Sequence, residues 1–263
     1  MKDNKRVITC KAFNHNAICY GFTTRHGGFS QAPYASLNMA QHVGDHPEHV
    51  QKNREAVAIE MALDYRKITW ASQVHGDNIC KISDESHVGF TGSYDAMITN
   101  IKEVPLFAFF ADCIPVLLYD KKNNAVGVVH AGWKGTYLEI AAKTVNRMKK
   151  EYGSLPEDIV SMIGPGICKE HYEVDKNLFR SFAEIKPAYG KAMTEKDDQY
   201  FIDLKKMNNI QLQENSVGRI IDIEICPYCN HKDFFSYRKA KGKTGRFAAF
   251  IMLKNGEVGN ESK

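Results

Sequence analysis

Three stretches of this chain carry residue types that bind metals, move protons or attack substrates, and each lies within or ends an apolar run. TWASQVHGDN (69–78) sets His75 before Gly76, and FAFFADCIPVLLYD (107–120) places Asp112 and Cys113 in the middle of apolar sequence. AVGVVHAGWKGT (125–136) carries an apolar run to His130 and then passes through two glycines. A lone cysteine in such a run packs as a small hydrophobe. A lone histidine before a glycine is more often a satisfied core or turn residue than a ligand, since imidazole is neutral near neutral pH. Asp112 is different, because a carboxylate taken out of water is costly unless a partner or a metal neutralises it. In the third stretch, a strand that turns through glycines into a helix surrounds one point with backbone N–H groups. Lys134 and Thr136 add a cation and a hydroxyl there, which suits an anion such as phosphate, although glycines after a strand are also ordinary punctuation. Cys113 lies 38 positions after His75, and His130 lies 17 positions after Cys113. Spacing alone does not make these segments meet.

The elements that must position them are mainly strands. Apolar runs recur at Ile18 to Thr23, Ile68 to Val74, Ile79 to Ile82, Ala96 to Thr99, Leu106 to Phe110, Val116 to Tyr119 and Ala125 to His130. Later runs are Ile159 to Ile163, Tyr200 to Leu204, Arg219 to Ile225, Phe234 to Tyr237 and Phe247 to Leu253. Helices are fewer. Asp45 and Glu48 resemble a capping box opening a helix from His46 to Leu63, with Pro47 in its tolerated first turn. Thr136 and Glu139 do the same for Tyr137 to Tyr152, which Gly153 ends. Two further helices are expected over Asp175 to Ile185 and Lys205 to Asn215. Consecutive strands interrupted by few helices predict an α+β domain rather than a βαβ repeat. No linker, repeat or low-complexity tract divides residues 1–263, so a single domain is expected, with a frayed polar tail GEVGNESK.

Composition excludes several classes. The 35 basic and 31 acidic residues are spread along the chain, so the net charge of +4 marks no nucleic-acid groove. The N-terminal stretch MKDNKRVITCKAFNHN leads into no long apolar segment, which argues against a signal peptide or membrane span and for the cytoplasm. Seven cysteines form an odd, scattered set in a chain large enough to build a core without staples. Thiols or metal ligands are expected rather than disulfides.

The motifs QVHG, ADCIPVLLYD and VVHAGWKGT, in that order, resemble those of the bacterial YfiH/YlmD proteins, a group formerly called polyphenol oxidase or laccase-domain proteins. Mammalian laccase-domain-containing protein is a relative. The resemblance continues through GFTTRHGGFS, ASLNMAQHVGDHPEHVQKNRE, YDAMIT, IGPGICKEHYEV, YFIDL, FFSYR and TGRFAAF, and so spans nearly the whole chain. It implies a mixed-sheet α/β sandwich, similar also to the catalytic domain of cytotoxic necrotizing factor toxins. It implies too that His75, Cys113 and His130 converge on one zinc ion. Two imidazoles and a thiolate suit zinc, and three protein ligands leave a fourth position for water or substrate. Structural zinc sites are usually closed, so an open one argues for catalysis.

The activity the resemblance implies is phosphorolysis of adenosine, inosine and methylthioadenosine to the base and a ribose 1-phosphate, together with deamination of adenosine. Nucleoside and phosphate are then the molecules it meets, with neither nucleic acid nor membrane, and a homodimer is compatible with this. Cys113, His130, His75 and Asp112 form the catalytic group, Asp112 either positioning Cys113 or carrying a proton. Arg25 and Lys134 are candidate phosphate contacts because each lies in a glycine-containing loop of a shared motif, and Arg238 and Arg246 are candidates of the same kind. Each could instead be a surface or structural ion pair.

Three rival readings remain. In a Cys–His hydrolase, Cys113 is the nucleophile and His130 or His75 its base, which would suit removal of a mis-incorporated serine from a nucleotide-linked muramyl precursor. Copper-dependent phenol oxidation needs many histidines, commonly in His-X-His units, and this chain has 10 histidines and no such unit. Copper can still occupy a His-Cys-His set in vitro. A scaffold that keeps zinc for structure is the third.

Two further clusters look like metal sites. His42, His46 and His49 sit where Pro47 and Asp45 predict a solvated helix start. CPYCNH offers Cys226, Cys229 and His231 but lacks the second pair of a structural zinc site, unless the fold brings Cys168 and His171 close.

Overall fold

The structure, a computed structural model, describes residues 5–13 and 15–255; the expected frayed tail lies outside the described residues. In chain order the strands are β1 (Val7–Ile8), β2 (Ile18–Thr23), β3 (Thr69–Ser72), β4 (Ile79–Ile82), β5 (Phe90–Ser93), β6 (Ala96–Thr99), β7 (Leu106–Phe110) and β8 (Ile114–Asp120). They continue with β9 (Ala125–Ala131), β10 (Ile159–Ile163), β11 (Glu173–Val174), β12 (Met193–Lys196), β13 (Gln199–Ile202), β14 (Arg219–Asp222) and β15 (Phe247–Leu253). The α-helices are α1 (Pro47–Glu60), α2 (Trp133–Tyr137), α3 (Ile140–Tyr152), α4 (Lys176–Ile185) and α5 (Leu204–Glu214).

The strands form two large mixed sheets, ordered β1-β2-β15-β7-β3-β5 and β14-β10-β8-β9-β6-β4, and a small sheet β11-β13-β12. Period-two side-chain alternation explains why the central strands read as unbroken apolar runs: both their faces are covered. On β7, Leu106, Ala108 and Phe110 pack between the two sheets, while Phe107 and Phe109 belong to the cluster that includes Val57 and Ala58 of α1. On β8, Leu117 and Tyr119 face the shared interior, and Ile114, Val116 and Leu118 pack with Ile140 and Val145 of α3 and Met207 of α5. Helices thus cover the outer faces of two stacked sheets. This is the α+β domain that the strand pattern predicts and the mixed-sheet sandwich that the family resemblance implies.

Several local expectations need correction. Asp45 does not cap α1; its Oδ2 accepts from Asn38 Nδ2 at 2.9 Å and its Oδ1 from the His46 N–H, so His46 starts the helix without a side-chain cap. The helix also stops at Glu60, short of Leu63, because Ala62 turns left-handed at φ 53°. Glu139 is left-handed as well, at φ 61° and ψ 42°, which divides the expected second helix into α2 and α3. Thr136 therefore lies inside α2, fully buried, where its Oγ1 accepts from Asn208 Nδ2 at 2.9 Å. Gly153 ends α3 in the left-handed region, as its lack of a Cβ allows. The segment 234–237 is irregular rather than a strand: it is apolar because Phe234 and Phe235 plug the inter-sheet core. Among the described residues no helix is long and apolar enough to cross a membrane.

Candidate active site and metal centre

Strand register assembles the site at one end of the second sheet. Ile114 of β8 pairs with Ala131 of β9, so Cys113 falls beside Gly132; Ala96 of β6 pairs with Val129, so Asp95 falls beside His130. The His130 N–H donates to the Asp95 carbonyl at 2.7 Å, one bond past the end of that ladder. A one-residue slip of either pairing would send these side chains to the opposite face.

Asp95 then fixes the remaining parts. Its carboxylate accepts from the backbone N–H groups of Val74 (3.2 Å), His75 (2.9 Å) and Gly76 (2.7 Å), which pins the loop after β3 and holds His75 at φ 58°. The same carboxylate lies 2.9 Å from His130 Nδ1, a bond that makes Nδ1 the protonated nitrogen and leaves Nε2 as a ligand or base. Burial raises the Asp95 pKa, but the bonds and charge of His130 and the backbone N–H donors outweigh it and hold the group below the ordinary carboxylate range. Sequence reasoning did not assign this residue a role. An aspartate opening a short strand carries no signal until β6 is seen paired with β9.

One ligand atom from each of His75, Cys113 and His130 lies within 4.8 Å of the others. The His75 and His130 rings meet edge to face, with centroids 5.0 Å apart. Gly132 shows how tightly the three converge, since a Cβ there would meet His75 Cδ2 at 2.9 Å and Cys113 Sγ at 3.2 Å. Burial pushes the Cys113 thiol up, but the His130 charge and the bonds from His130 and His75 bring it down to about 6. Burial pulls His130 down, while Cys113 and then Asp95 raise it to about 9. A thiolate and two imidazoles, one of them oriented by the Asp95 carboxylate, form a donor set that fits a divalent metal, with His130 buried and His75 exposed on the open side.

That side faces a cavity of about 450 Å³. Phe109, Trp133, Tyr172 and Tyr237 give it aromatic walls, Arg238 and Arg246 give it cations, and His42 lines it too. His42 was expected at a solvated helix start, and its pKa is instead lowered, by burial first and then by Arg246. Asp112 also lines the cavity, at φ 97°, a backbone region in which a residue with a side chain is strained. Its Oδ2 accepts from the Arg238 N–H at 2.6 Å, whereas its buried Oδ1 has no hydrogen-bond partner. Burial raises the Asp112 pKa against the pull of the Arg238 N–H.

Of the four cationic candidates, two lie outside the cavity and two at its edge. Arg25 Nε and Nη2 both donate to the Ala35 carbonyl and Nη1 to that of His231, with the guanidinium over the Phe235 ring, outside the cavity lining. Lys134 is exposed on α2 and is likewise not part of the lining. Arg238 Nη1 donates to the carbonyls of His171 and Glu173, and Arg246 Nη1 to those of Thr244 and Gly245, which anchors both at the cavity edge.

Residues 19–254 match the family model described as multi-copper polyphenol oxidoreductase laccase. The chain belongs to that family. Among its YlmD/YfiH members, the *Bacillus subtilis* strain 168 protein named purine nucleoside phosphorylase YlmD is 34% identical over 92% of this chain and 90% of its own. The *Escherichia coli* K12 protein named purine nucleoside phosphorylase YfiH is 32% identical over 88% of this chain and 92% of its own. The crystal structure of YlmD from *Geobacillus stearothermophilus* superposes with a TM-score of 0.92 at 33% identity, covering 97% of this chain and 98% of that one. The laccase-like family's description speaks of several coppers. Among the described residues, however, the cavity cluster brings together two imidazoles and one thiolate rather than a histidine-rich array.

Proposed function

We propose that this chain is a zinc-dependent purine nucleoside phosphorylase that acts on adenosine, inosine and methylthioadenosine, and that it also deaminates adenosine. The observation that carries the reading is the arrangement of His75, Cys113 and His130 on one wall of a cavity whose other walls are aromatic and whose edge bears two arginines. The names of the relatives, purine nucleoside phosphorylase YlmD and YfiH, support the phosphorylase part of the reading.

His75, Cys113 and His130 would hold the zinc, which when bound supplies Lewis acidity at the open side of the site. The aromatic walls offer flat apolar surfaces for a purine, and Arg238 and Arg246 would bind the phosphate dianion and orient it toward the anomeric carbon. In phosphorolysis a phosphate oxygen forms the bond to C1′ as the bond from C1′ to the base nitrogen breaks, and the departing base takes up a proton. Asp112 lines the cavity and burial raises its pKa, which favours the protonated carboxyl from which a proton could be delivered. Burial of the site strengthens each of these electrostatic contacts.

Incubating metal-replete, metal-free and Cys113→Ala proteins with adenosine and phosphate, and identifying the purine product, tests the proposal. Adenine with ribose 1-phosphate from the metal-replete protein alone supports phosphorolysis, and inosine supports deamination. Absence of purine turnover by the zinc-loaded protein overturns both.

A Cys–His hydrolase is the second reading, and one observation favours it: Cys113, His130 and Asp95 stand in the order of a nucleophile, its base and an orienting carboxylate. Such an enzyme, for instance one cleaving serine from a muramyl nucleotide, would survive chelation and be lost to alkylation.

A further inference from the structure

Two short turns from distant parts of the chain face each other beside the cavity. In the first, the His171 N–H donates to the Cys168 carbonyl at 3.1 Å, so Cys168 and His171 project from one turn. In the second, the Asn230 N–H donates to the Cys226 carbonyl at 2.9 Å, closing a turn that presents Cys226 and Cys229 together. The spacings are C-x-x-H and C-x-x-C, the pattern of paired metal-binding turns. His231 takes no part in this cluster.

We propose that Cys168, His171, Cys226 and Cys229 bind a second zinc ion, closed on all four sides by protein and structural in role. One ligand atom from each residue lies within 4.8 Å of the other three. Zinc–sulfur bonds of about 2.3 Å and zinc–nitrogen bonds of about 2.0–2.1 Å in a tetrahedron require S···S near about 3.8 Å and S···N near about 3.6 Å. The Cys168 and Cys229 sulfurs are 3.9 Å apart, and His171 Nδ1 is 3.5 Å from the Cys229 sulfur and 3.1 Å from that of Cys168. A disulfide requires sulfurs at about 2.05 Å, so the Cys168–Cys229 spacing fits a shared ion rather than a bond between them.

The surroundings are also those of a metal site. The Cys168 N–H points at the Cys226 sulfur at 3.3 Å, a contact that favours a thiolate. The His171 ring is stacked on Tyr228, with centroids 4.0 Å apart, which sets its orientation without help from an ion. Three thiolates and a neutral imidazole around a dication leave one net negative charge. The Glu170 carboxylate beside Cys168 adds to it, and Arg238, which donates to the His171 carbonyl, and Lys239, over the Tyr228 ring, are neighbouring cations that counter this charge.

This placement gives the ion a structural task. Between Cys168 and the active site stands Ile167, whose N–H donates to the Asp112 carbonyl at 2.9 Å and whose side chain lines the cavity. Tyr172, next to His171, lines it as well. Tying residues 168–171 to 226–229 therefore braces one cavity wall.

Metal content of the purified full-length protein, measured by inductively coupled plasma mass spectrometry, tests the proposal together with X-ray absorption at the zinc edge. Wild type should contain two zinc ions per chain, and Cys229→Ser and His171→Asn should each contain one. Cys113→Ser should keep one, and its absorption spectrum should fit three sulfurs and one nitrogen. Should a cluster variant fail to fold, that Cys113→Ser spectrum decides alone. Loss of all zinc from Cys113→Ser, a first shell of nitrogen and oxygen only, or an unchanged metal content in folded Cys229→Ser and His171→Asn would each overturn the assignment. None of these readouts depends on purine turnover, so the assignment stands or falls separately from the proposed activity.

Discussion

Asp95→Asn is the substitution that most sharply separates ligand orientation from ligand identity. It removes no candidate metal ligand and little volume, yet it alters the group that accepts from the N–H groups of Val74, His75 and Gly76 and from His130 Nδ1. An asparagine keeps one acceptor oxygen and turns the other into an NH₂ group, which must face donors. Two of the four bonds are lost in either orientation, because Oδ1 serves His75 and His130 while Oδ2 serves Val74 and Gly76. Hydrogen bonds to charged groups contribute about 1.5–3 kcal/mol each, so a stability loss of roughly 3–6 kcal/mol is expected, read by urea unfolding. For the metal, loss of the carboxylate that orients a histidine ligand costs about 10–100-fold in affinity. That corresponds to about 1.4–2.8 kcal/mol and is read by competition with a fluorescent zinc chelator. Asp112→Asn serves as the comparison, because its carboxylate bonds Arg238 rather than a ligand histidine. Zinc affinity of Asp95→Asn within about twofold of wild type, in a folded protein, would refute the claim that Asp95 holds the ligands in place.

Other outcomes follow from the same geometry. Gly132→Ala should leave the fold intact but weaken zinc binding by roughly tenfold, since its Cβ would press on His75 and Cys113; chelator competition and circular dichroism check both halves. Arg246→Ala should raise the KM for phosphate by about tenfold or more, whereas Lys134→Ala, on exposed α2 outside the lining, should leave it within about twofold, both from steady-state kinetics. Phe110→Ala removes a fully buried ring that packs against Phe247 and His130, and denaturant titration should show a loss of about 3–5 kcal/mol.

The sequence made the sheets legible because their central strands are long apolar runs covered on both faces: β2, β7, β10 and β15 begin and end where those runs do. Short or half-exposed strands such as β5 and β12 carry no comparable pattern and were not anticipated. Local signals misled where tertiary structure overrode them. Phe234 and Phe235 are apolar in order to fill the core from a loop, and the Thr136–Glu139 box is broken by one left-handed residue. At the active site the reactive residue types were visible, but their meeting depends on β6, β8 and β9 pairing in register, which no spacing encodes. For the same reason Asp95 had no signal, and His42 gave no sign of lining the cavity. The second cluster was half visible as C-x-x-C. Its completing pair lies far upstream, at Cys168 and His171, and only the fold brings it near.

The central claim is that two imidazoles and one thiolate hold an ion at the cavity wall with no fourth protein ligand. An anomalous difference map collected at the zinc edge from crystals of the zinc-loaded protein tests it most directly. The account predicts a peak within bonding distance of His75, Cys113 and His130, with its remaining side open to the cavity. Absence of a peak there, or a fourth side chain closing it, would contradict the account.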